Sequence, residues 1–179
     1  TEEQKKQYLP DMCSGRMLGA FGLTEPGAGS DAGGTLTTAV RSDGQWVING
    51  SKAFITNSGT PITRFVTVTA VTGQSEGRKE ISTIIVPNGT PGFTVEPPYD
   101  KVGWNASDTH PLTFDGARVP ADNLLGERGS GFRNFLSILD EGRIAIAALS
   151  TGAAEGCLEA AVEYAKSRTI FGSALSTRQ

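Results

Sequence analysis

The sequence predicts a mixed, mainly β fold, a β-barrel or sandwich followed by the start of a helical bundle. Three observations predict it. Short runs with period-two apolar alternation succeed one another between turn dipeptides from Thr35 to Val119, the pattern of a sandwich or barrel. The 179 residues include 23 Gly and 9 Pro, which favours many turns. From Gly131 onward the apolar spacing changes to i, i+3, i+4, i+7 at Phe132, Phe135, Leu136 and Leu139, the mark of an amphipathic helix.

Taken in order, Glu2 to Leu9 is charged and polar and reads as the tail of a helix begun before Thr1. Pro10 is expected to end it, because proline disfavours helix at the residue before it. Arg16 to Leu23, with Met17, Leu18, Phe21 and Leu23 as its apolar members, reads as a strand. Three strands follow, at Thr35–Arg41, Gln45–Ile48 and Lys52–Thr56. Asp43-Gly44 and Asn49-Gly50 separate them, and both dipeptides suit type I′ hairpin turns. After an Asn57–Pro61 turn come Phe65–Thr72, a polar loop through Glu80, then Ile81–Val86, Phe93–Glu96, Leu112–Phe114 and a short strand at Ala117–Val119. No internal repeat is visible. The helical stripe continues through Ile146, Leu149, Ala153, Cys157, Ala160, Ala161, Tyr164 and Ala165. Gly142, Gly152 and Gly156 weaken it by up to about 1 kcal/mol each relative to alanine, with a break or kink expected near Gly142. So long an Ala- and Gly-rich stripe needs a further helix to pack against, and the chain is expected to be a fragment.

Between the first strand and the β region lies Thr24-Glu25-Pro26-Gly27-Ala28-Gly29-Ser30-Asp31, running on to Gly33-Gly34. Glycine lets a backbone approach a ligand closely, and successive free N–H groups form an anion-binding concavity. Gly27-x-Gly29-x-x-Ala32 satisfies the loose dinucleotide fingerprint, which also requires a helix to follow. The residues after it, Thr35 to Ser42, are β-rich, so that requirement fails. Two readings stay open on composition: a phosphate-type loop in a β context, or a plain Gly/Pro surface loop.

A formal net charge of −3 argues against nucleic acid, whose binders carry a basic patch. Cys13 and Cys157 are too few and too distant to suggest a disulfide framework or zinc site, and a reducing compartment follows as the expectation. No uninterrupted run of about 18 apolar residues occurs, so no segment is expected to span a membrane. No signal peptide opens the chain.

The motifs together resemble the acyl-CoA dehydrogenase family. The carriers are Gly22 to Gly34, then Asn49-Gly50-Ser51-Lys52-Ala53-Phe54-Ile55-Thr56-Asn57, Gly103-Trp104-Asn105-Ala106-Ser107-Asp108-Thr109, Gly131-Phe132, Asp140-Glu141-Gly142-Arg143 and Arg168-Thr169-Ile170-Phe171-Gly172. The opening Glu3 to Pro10 also fits. The blocks lie in family order across almost the whole chain. The resemblance implies that residues 1–15 end an N-terminal helical domain, 16–127 form the middle β-domain that binds FAD and acyl-CoA, and 128–179 hold the first helices of a C-terminal helical domain. It places the protein in the cytoplasm, or in the mitochondrial matrix of a eukaryote.

The same resemblance implies residue roles. Phe21, Leu23, Thr24, Gly29 and Ser30 would line FAD, with Thr24 at the pyrimidine end of the flavin and Ser30 also touching the pantetheine arm of the acyl-CoA. The other reading of Thr24 and Ser30 is that they satisfy turn backbone. Phe54, Ile55 and Thr56 would run beside the flavin, where several relatives carry tryptophan at the Phe54 position; their bland alternative is a core strand. Asp140 and Arg143 would approach the nucleotide end and base-side pocket of the acyl-CoA, or else form an ordinary intrahelical ion pair. Arg168, Phe171 and Gln179 would reach the FAD of a neighbouring subunit in a dimer or tetramer; Arg168 also suits a helix C-terminus. Glu25 and Asp31 are expected to orient the loop through backbone hydrogen bonds, neither acting as a base. His110, the only histidine, reads as a loop residue near the acyl pocket at best. No Gly-x-Ser-x-Gly elbow accompanies it.

The implied reaction removes an α-proton and a β-hydride from an acyl-CoA thioester, with the carbonyl polarised by hydrogen bonds, and passes electrons to an electron-transferring flavoprotein. No metal is implied. Most of the family places the catalytic glutamate beyond the position of Gln179; a minority places it near Glu141 or Gly142, and glycine cannot act. The base is therefore expected outside this chain, with Glu141 the weak candidate within it. An acyl-CoA oxidase or nitroalkane-oxidase-like enzyme of the same fold, or a non-catalytic binding module, are the alternatives. Flavin absorbance separates the last, and peroxide release separates the oxidases. The 179-residue chain alone is expected to show no acyl-CoA turnover with an artificial electron acceptor; measurable turnover would refute a base outside it.

Overall fold

The computed structural model describes residues 1–178. Its elements are helix α1 (Glu2–Cys13), strands β1 (Leu18–Gly22), β2 (Thr38–Ser42), β3 (Gln45–Thr56), β4 (Thr63–Ser75), β5 (Arg78–Pro87), β6 (Phe93–Val95), β7 (Thr109–Pro120) and β8 (Leu124–Leu125), then helix α2 (Gly131–Ser167) and the short strands β9 (Thr169–Ile170) and β10 (Ser173–Ala174). Two compact units result, divided between Phe135 and Leu136.

In the first unit eight strands form one mixed sheet in the order β6-β7-β3-β2-β4-β5-β8, with β1 also pairing β4. Alternate residues turn inward, and Trp46, Ile48, Val66, Val68, Ile84, Val86, Leu112, Phe114 and Val119 make the core. One edge of β4 is shared by two parallel neighbours. Gly22 of β1 pairs with Val68, whereas Thr38 of β2 pairs with Val71. The glycine-rich loop leaves the sheet at this seam, and the Val71 N–H donates to Thr37 O across it at 2.8 Å.

The Asp43-Gly44 hairpin forms as expected: Ser42 pairs with Gln45, and both turn residues have positive φ, 51° and 75°. Asn49-Gly50 is not a hairpin. β3 runs straight through it, and the register against β7 shifts between Ile48 and Gly50. The same dipeptide chemistry here builds a bulge: Gly50 has φ 143°, and a Cβ there would lie 2.5 Å from Thr37 Oγ1 and 2.7 Å from Thr37 Cα. Residues 35–37 precede the strand instead of opening it. The expected polar loop through Glu80 is also a correction. β4 and β5 extend to a two-residue turn, Glu76-Gly77, with φ 51° and 74°. The two runs at Leu112–Phe114 and Ala117–Val119 are one strand, bent at Gly116 with φ 64°.

Pro10 lies inside α1. Its missing N–H removes one bond from the final turns, and the helix still closes with Ser14 N–H on Pro10 O at 3.2 Å. Thr1 caps the other end, accepting from the Gln4 N–H at 3.2 Å.

In the second unit α2 continues through Gly142, Gly152 and Gly156, so of the break or kink expected near Gly142 the break does not form. The i→i−4 ladder requires no side chain, and the alanine-rich flanks favour helix. By length and composition α2 is apolar enough to cross a bilayer, with mean hydropathy 1.2 over 18 residues, which amends the expectation drawn from uninterrupted apolar runs. Its average comes from alanine and glycine with scattered larger residues, and Ile144, Ile146, Leu149, Leu158 and Val162 are exposed.

Gly50→Ala adds a Cβ against Thr37 at a backbone angle unfavourable to L-residues, a cost of about 1–3 kcal/mol for the strain alone. Urea unfolding should show a loss at least that large; an unchanged midpoint would contradict the bulge.

Candidate functional site

The seam beside β4 is closed by an ion pair. Lys52 is 0% and Glu25 6% exposed. Lys52 lies on β3, on the inward parity of Trp46 and Ile48, and its Nζ meets Glu25 Oε1 at 2.8 Å. The same ammonium lies 3.2 Å from Leu23 O, 3.3 Å from Thr35 Oγ1 and 3.1 Å from Thr69 Oγ1. Glu25 accepts from the Leu36 N–H at 2.7 Å, from the Thr37 N–H at 3.0 Å and from the Thr35 hydroxyl. One carboxylate and one ammonium thus fix both ends of the loop, Leu23–Glu25 and Thr35–Thr37. Burial pushes the Glu25 carboxyl up, but Lys52, the Thr35 hydroxyl and the two N–H groups outweigh it and bring it to about 2. Burial lowers Lys52 more than Glu25 raises it.

Between those anchors the loop turns tightly. Glu25 and Ala28 exchange main-chain bonds at 3.0 and 3.1 Å, with Pro26-Gly27 at the tip. Asp31 acts through its carbonyl, which accepts from the Gly34 N–H at 3.0 Å; its carboxylate makes no cap bond. A single 3-10 turn, Ala32–Gly34, follows, so no helix dipole serves this loop. Gly27 and Gly29 have no positive φ, and nothing lies within 4 Å of a Cβ built on either. Neither the backbone nor the packing of the chain requires glycine there. Among the described residues no acceptor meets the N–H groups of Gly27, Gly29 and Ser30. Among the described residues the Thr24 and Ser30 hydroxyls likewise bond no turn backbone, and Ser30 is exposed.

The end of β3 stands beside this loop, tied to it by the Ala53 N–H on Thr24 O at 2.9 Å. The register against β7 shifts again between Lys52 and Ile55. Within that bulge Phe54 has φ 60°, rare for a bulky residue, and its side chain is 65% exposed. Ile55 turns into the core at 2% exposure, leaving its main chain for any ligand contact. Thr56 is exposed and pairs with Thr109. Leu23 is buried, its carbonyl on Lys52; Phe21 stacks on Phe135 with centroids 4.1 Å apart. Phe21 also lines an apolar cleft of about 370 Å³ with Tyr8, Leu9, Met12 and Phe65.

His110 is not a loop residue. It lies in β7 opposite Ile55 and is buried. Nδ1 is 2.6 Å from Glu96 O and Nε2 2.8 Å from Asp108 Oδ1. Its place follows from an extended strand, which the break at Pro111 concealed in the sequence.

The remaining candidates belong to the second unit. Asp140 and Arg143 pair at 2.6 Å on one face of α2, both well exposed, and Glu141 is exposed beside them. Arg168 N–H donates to Tyr164 O at the end of the helix. Phe171 sits at the tip of the β9–β10 turn with φ 46° and 91% exposure. Gln179 lies outside the described residues. Sequence reasoning missed Lys52, Thr35, Thr37 and Thr69; the one available signal was a lysine on the core parity of an otherwise apolar strand.

Two family models match the chain, acyl-CoA dehydrogenase middle domain over residues 20–117 and acyl-CoA dehydrogenase C-terminal domain over 129–179. A probable acyl-CoA dehydrogenase of Bacillus subtilis is 51% identical over 100% of this chain and 47% of its own length. The solved butyryl-CoA dehydrogenase of Megasphaera elsdenii superposes with TM-score 0.92 at 46% identity, over 99% of this chain and 46% of that one. A glutaryl-CoA dehydrogenase from Mycobacterium smegmatis in complex with FADH2 gives TM-score 0.90 at 38% identity, over 100% and 44%. The chain spans about half the length of the curated relatives it matches.

Lys52→Met removes one partner of the buried pair and should cost about 3–5 kcal/mol in urea unfolding; an unchanged midpoint would contradict the clamp. Because folding lowers Glu25 from its ordinary 4.5 to about 2, its contribution is complete above pH 4.5 and is lost as pH falls towards 2. The wild-type acid-unfolding curve should show that loss, and Glu25→Gln should show less of it.

Proposed function

The chain belongs to the acyl-CoA dehydrogenase family, and we propose that it supplies the FAD- and acyl-CoA-binding wall of an enzyme that dehydrogenates acyl-CoA thioesters at the α,β-carbons. Residues 16–127 form the binding domain in this reading, 1–15 close a preceding helical domain, and 128–179 open a following one. The observation that carries it is the loop itself. Gly27 and Gly29 leave open space that their own fold does not use, beside three N–H groups without an acceptor among the described residues. Such a cradle suits a diphosphate or flavin edge.

FAD, when bound, accepts the hydride that leaves the β-carbon. The residues here bind and orient. Thr24 and Ser30 offer hydroxyls not engaged by the turn, Ser30 at the junction between cofactor and pantetheine. Phe54 offers an exposed aromatic face and Thr56 an exposed hydroxyl on the adjoining strand. Donors aimed at an electron-rich flavin stabilise the charge it acquires. Asp140 and Arg143 orient the acyl-CoA, and Arg168, Phe171 and Gln179 serve the FAD of a neighbouring subunit; an exposed phenylalanine held at positive φ in the β9–β10 turn is consistent with an intersubunit role. The proton is removed by a carboxylate beyond residue 179. The relative that takes butyryl-CoA favours a short acyl chain, and an electron-transferring flavoprotein is the proposed acceptor.

Gly29→Val should leave the thermal midpoint of the apoprotein unchanged, since its Cβ enters open space, while the complete protein loses most of its bound FAD. Wild-type flavin absorbance, with acyl-CoA-dependent dye reduction and no substrate-dependent peroxide, is the expected result. Full flavin content in Gly29→Val, or none in the wild type, would overturn the reading.

A further inference from the structure

Phe54 holds an unfavourable backbone conformation within the second bulge of β3. The bulge between Lys52 and Ile55 removes it from the ladder, and at φ 60° its Cβ crowds the adjacent carbonyl. A contact from outside the strand bears on it as well. The ring of Tyr99 stacks on that of Phe54 with centroids 4.8 Å apart and planes 25° from parallel. No other aromatic contact is made to Phe54 among the described residues.

Tyr99 is itself braced. It follows Pro97-Pro98, whose fixed φ stiffens the approach. The segment is pinned to β7 at both ends, with Glu96 N–H on Pro111 O at 3.0 Å and Tyr99 N–H on Thr109 O at 3.1 Å. Between them His110 Nδ1 meets Glu96 O. Thr109 is the cross-strand partner of Thr56, so one bracket sets the position of both Phe54 and Thr56. Lys101 closes the next loop onto the same point, its Nζ lying 2.9 Å from Thr109 Oγ1, 2.6 Å from Ser107 O and 3.0 Å from Trp104 O.

We propose that Tyr99 is a positioning residue, whose ring holds Phe54 in its left-handed conformation and so sets the aromatic face offered to the cofactor. The inference rests on the reading that Phe54–Thr56 lines the flavin. The phenol hydroxyl plays no part, so Tyr99→Phe should behave as the wild type.

The test compares Tyr99→Ala, Tyr99→Leu and Tyr99→Phe in the complete protein by amide exchange over residues 53–57, flavin absorbance and flavin reduction potential. Loss of the ring should raise exchange at Ala53 and Asn57, the hydrogen-bonded amides on either side of Phe54, by about two- to tenfold, the worth of one aromatic pair. It should also shift the flavin band and potential in both Ala and Leu variants, whereas Phe restores all three. Leu keeps apolar bulk and so guards against simple loss of folding. Unchanged exchange in the Ala and Leu variants would overturn the proposal. Raised exchange with an unmoved flavin band and potential would overturn its link to the cofactor. A wild type that holds no flavin would overturn the reading beneath it, while the exchange data alone would still decide whether Tyr99 positions Phe54.

Discussion

Lys52 and Glu25 face each other where β4 changes its parallel neighbour. Along β4, β1 pairs up to Val68 and β2 begins at Val71; the Thr69 hydroxyl oxygen, between them, accepts from the Lys52 ammonium. Removing two charges from water costs several kcal/mol per ion, and their attraction offsets this only when the remaining polar atoms are also satisfied. They are satisfied here, by one carbonyl and one hydroxyl from the ends of the loop, a hydroxyl from β4 and two loop N–H groups. An apolar pair of equal volume would fill the space but would leave the Leu36 and Thr37 N–H groups without their acceptor. The charges therefore hold the direction of the loop more than they add to stability.

That constraint explains how a loop rich in glycine can be a site. Glycines increase the conformational freedom that folding must remove, and an unanchored eight-residue stretch would sample many shapes. Clamping Leu23–Glu25 to Thr35–Thr37, with Lys79 Nζ adding a bond to Thr35 O at 2.8 Å, limits that freedom to the tip. At the tip the absence of side chains leaves open space, with nothing within 4 Å of a Cβ built on Gly27 or Gly29. The second wall follows from the same strand: Lys52 enters the core, and within four residues β3 bulges to turn Phe54 outward and Ile55 inward.

Much of the sheet was legible because period-two alternation survives wherever one face is buried. Asp43-Gly44 announced its hairpin correctly. Asn49-Gly50 misled, since the dipeptide reports only that positive φ is affordable, and a bulge uses that property as readily as a turn. Glu76-Gly77 escaped notice because glutamate is not a turn-former; the pairing of β4 with β5 imposes the conformation. The buried pair was hidden for a different reason. Glu25 and Lys52 stand 27 residues apart, and no local pattern records a contact made only when β1, β3 and β4 meet. The family motifs carried the reading of the loop as a cofactor wall, which composition left undecided against a plain surface turn.

The most direct test is the flavin content of the complete protein carrying Glu25→Leu together with Lys52→Met. Replacing both charges leaves no unpaired ion in the core, so the double variant should still fold, less stable by about 1–3 kcal/mol for each loop N–H left without its acceptor. Without the carboxylate, Leu36, Thr37 and the loop between the anchors lose their fixed direction. The account predicts a folded protein that retains little FAD after gel filtration. A folded double variant with full flavin content would contradict it.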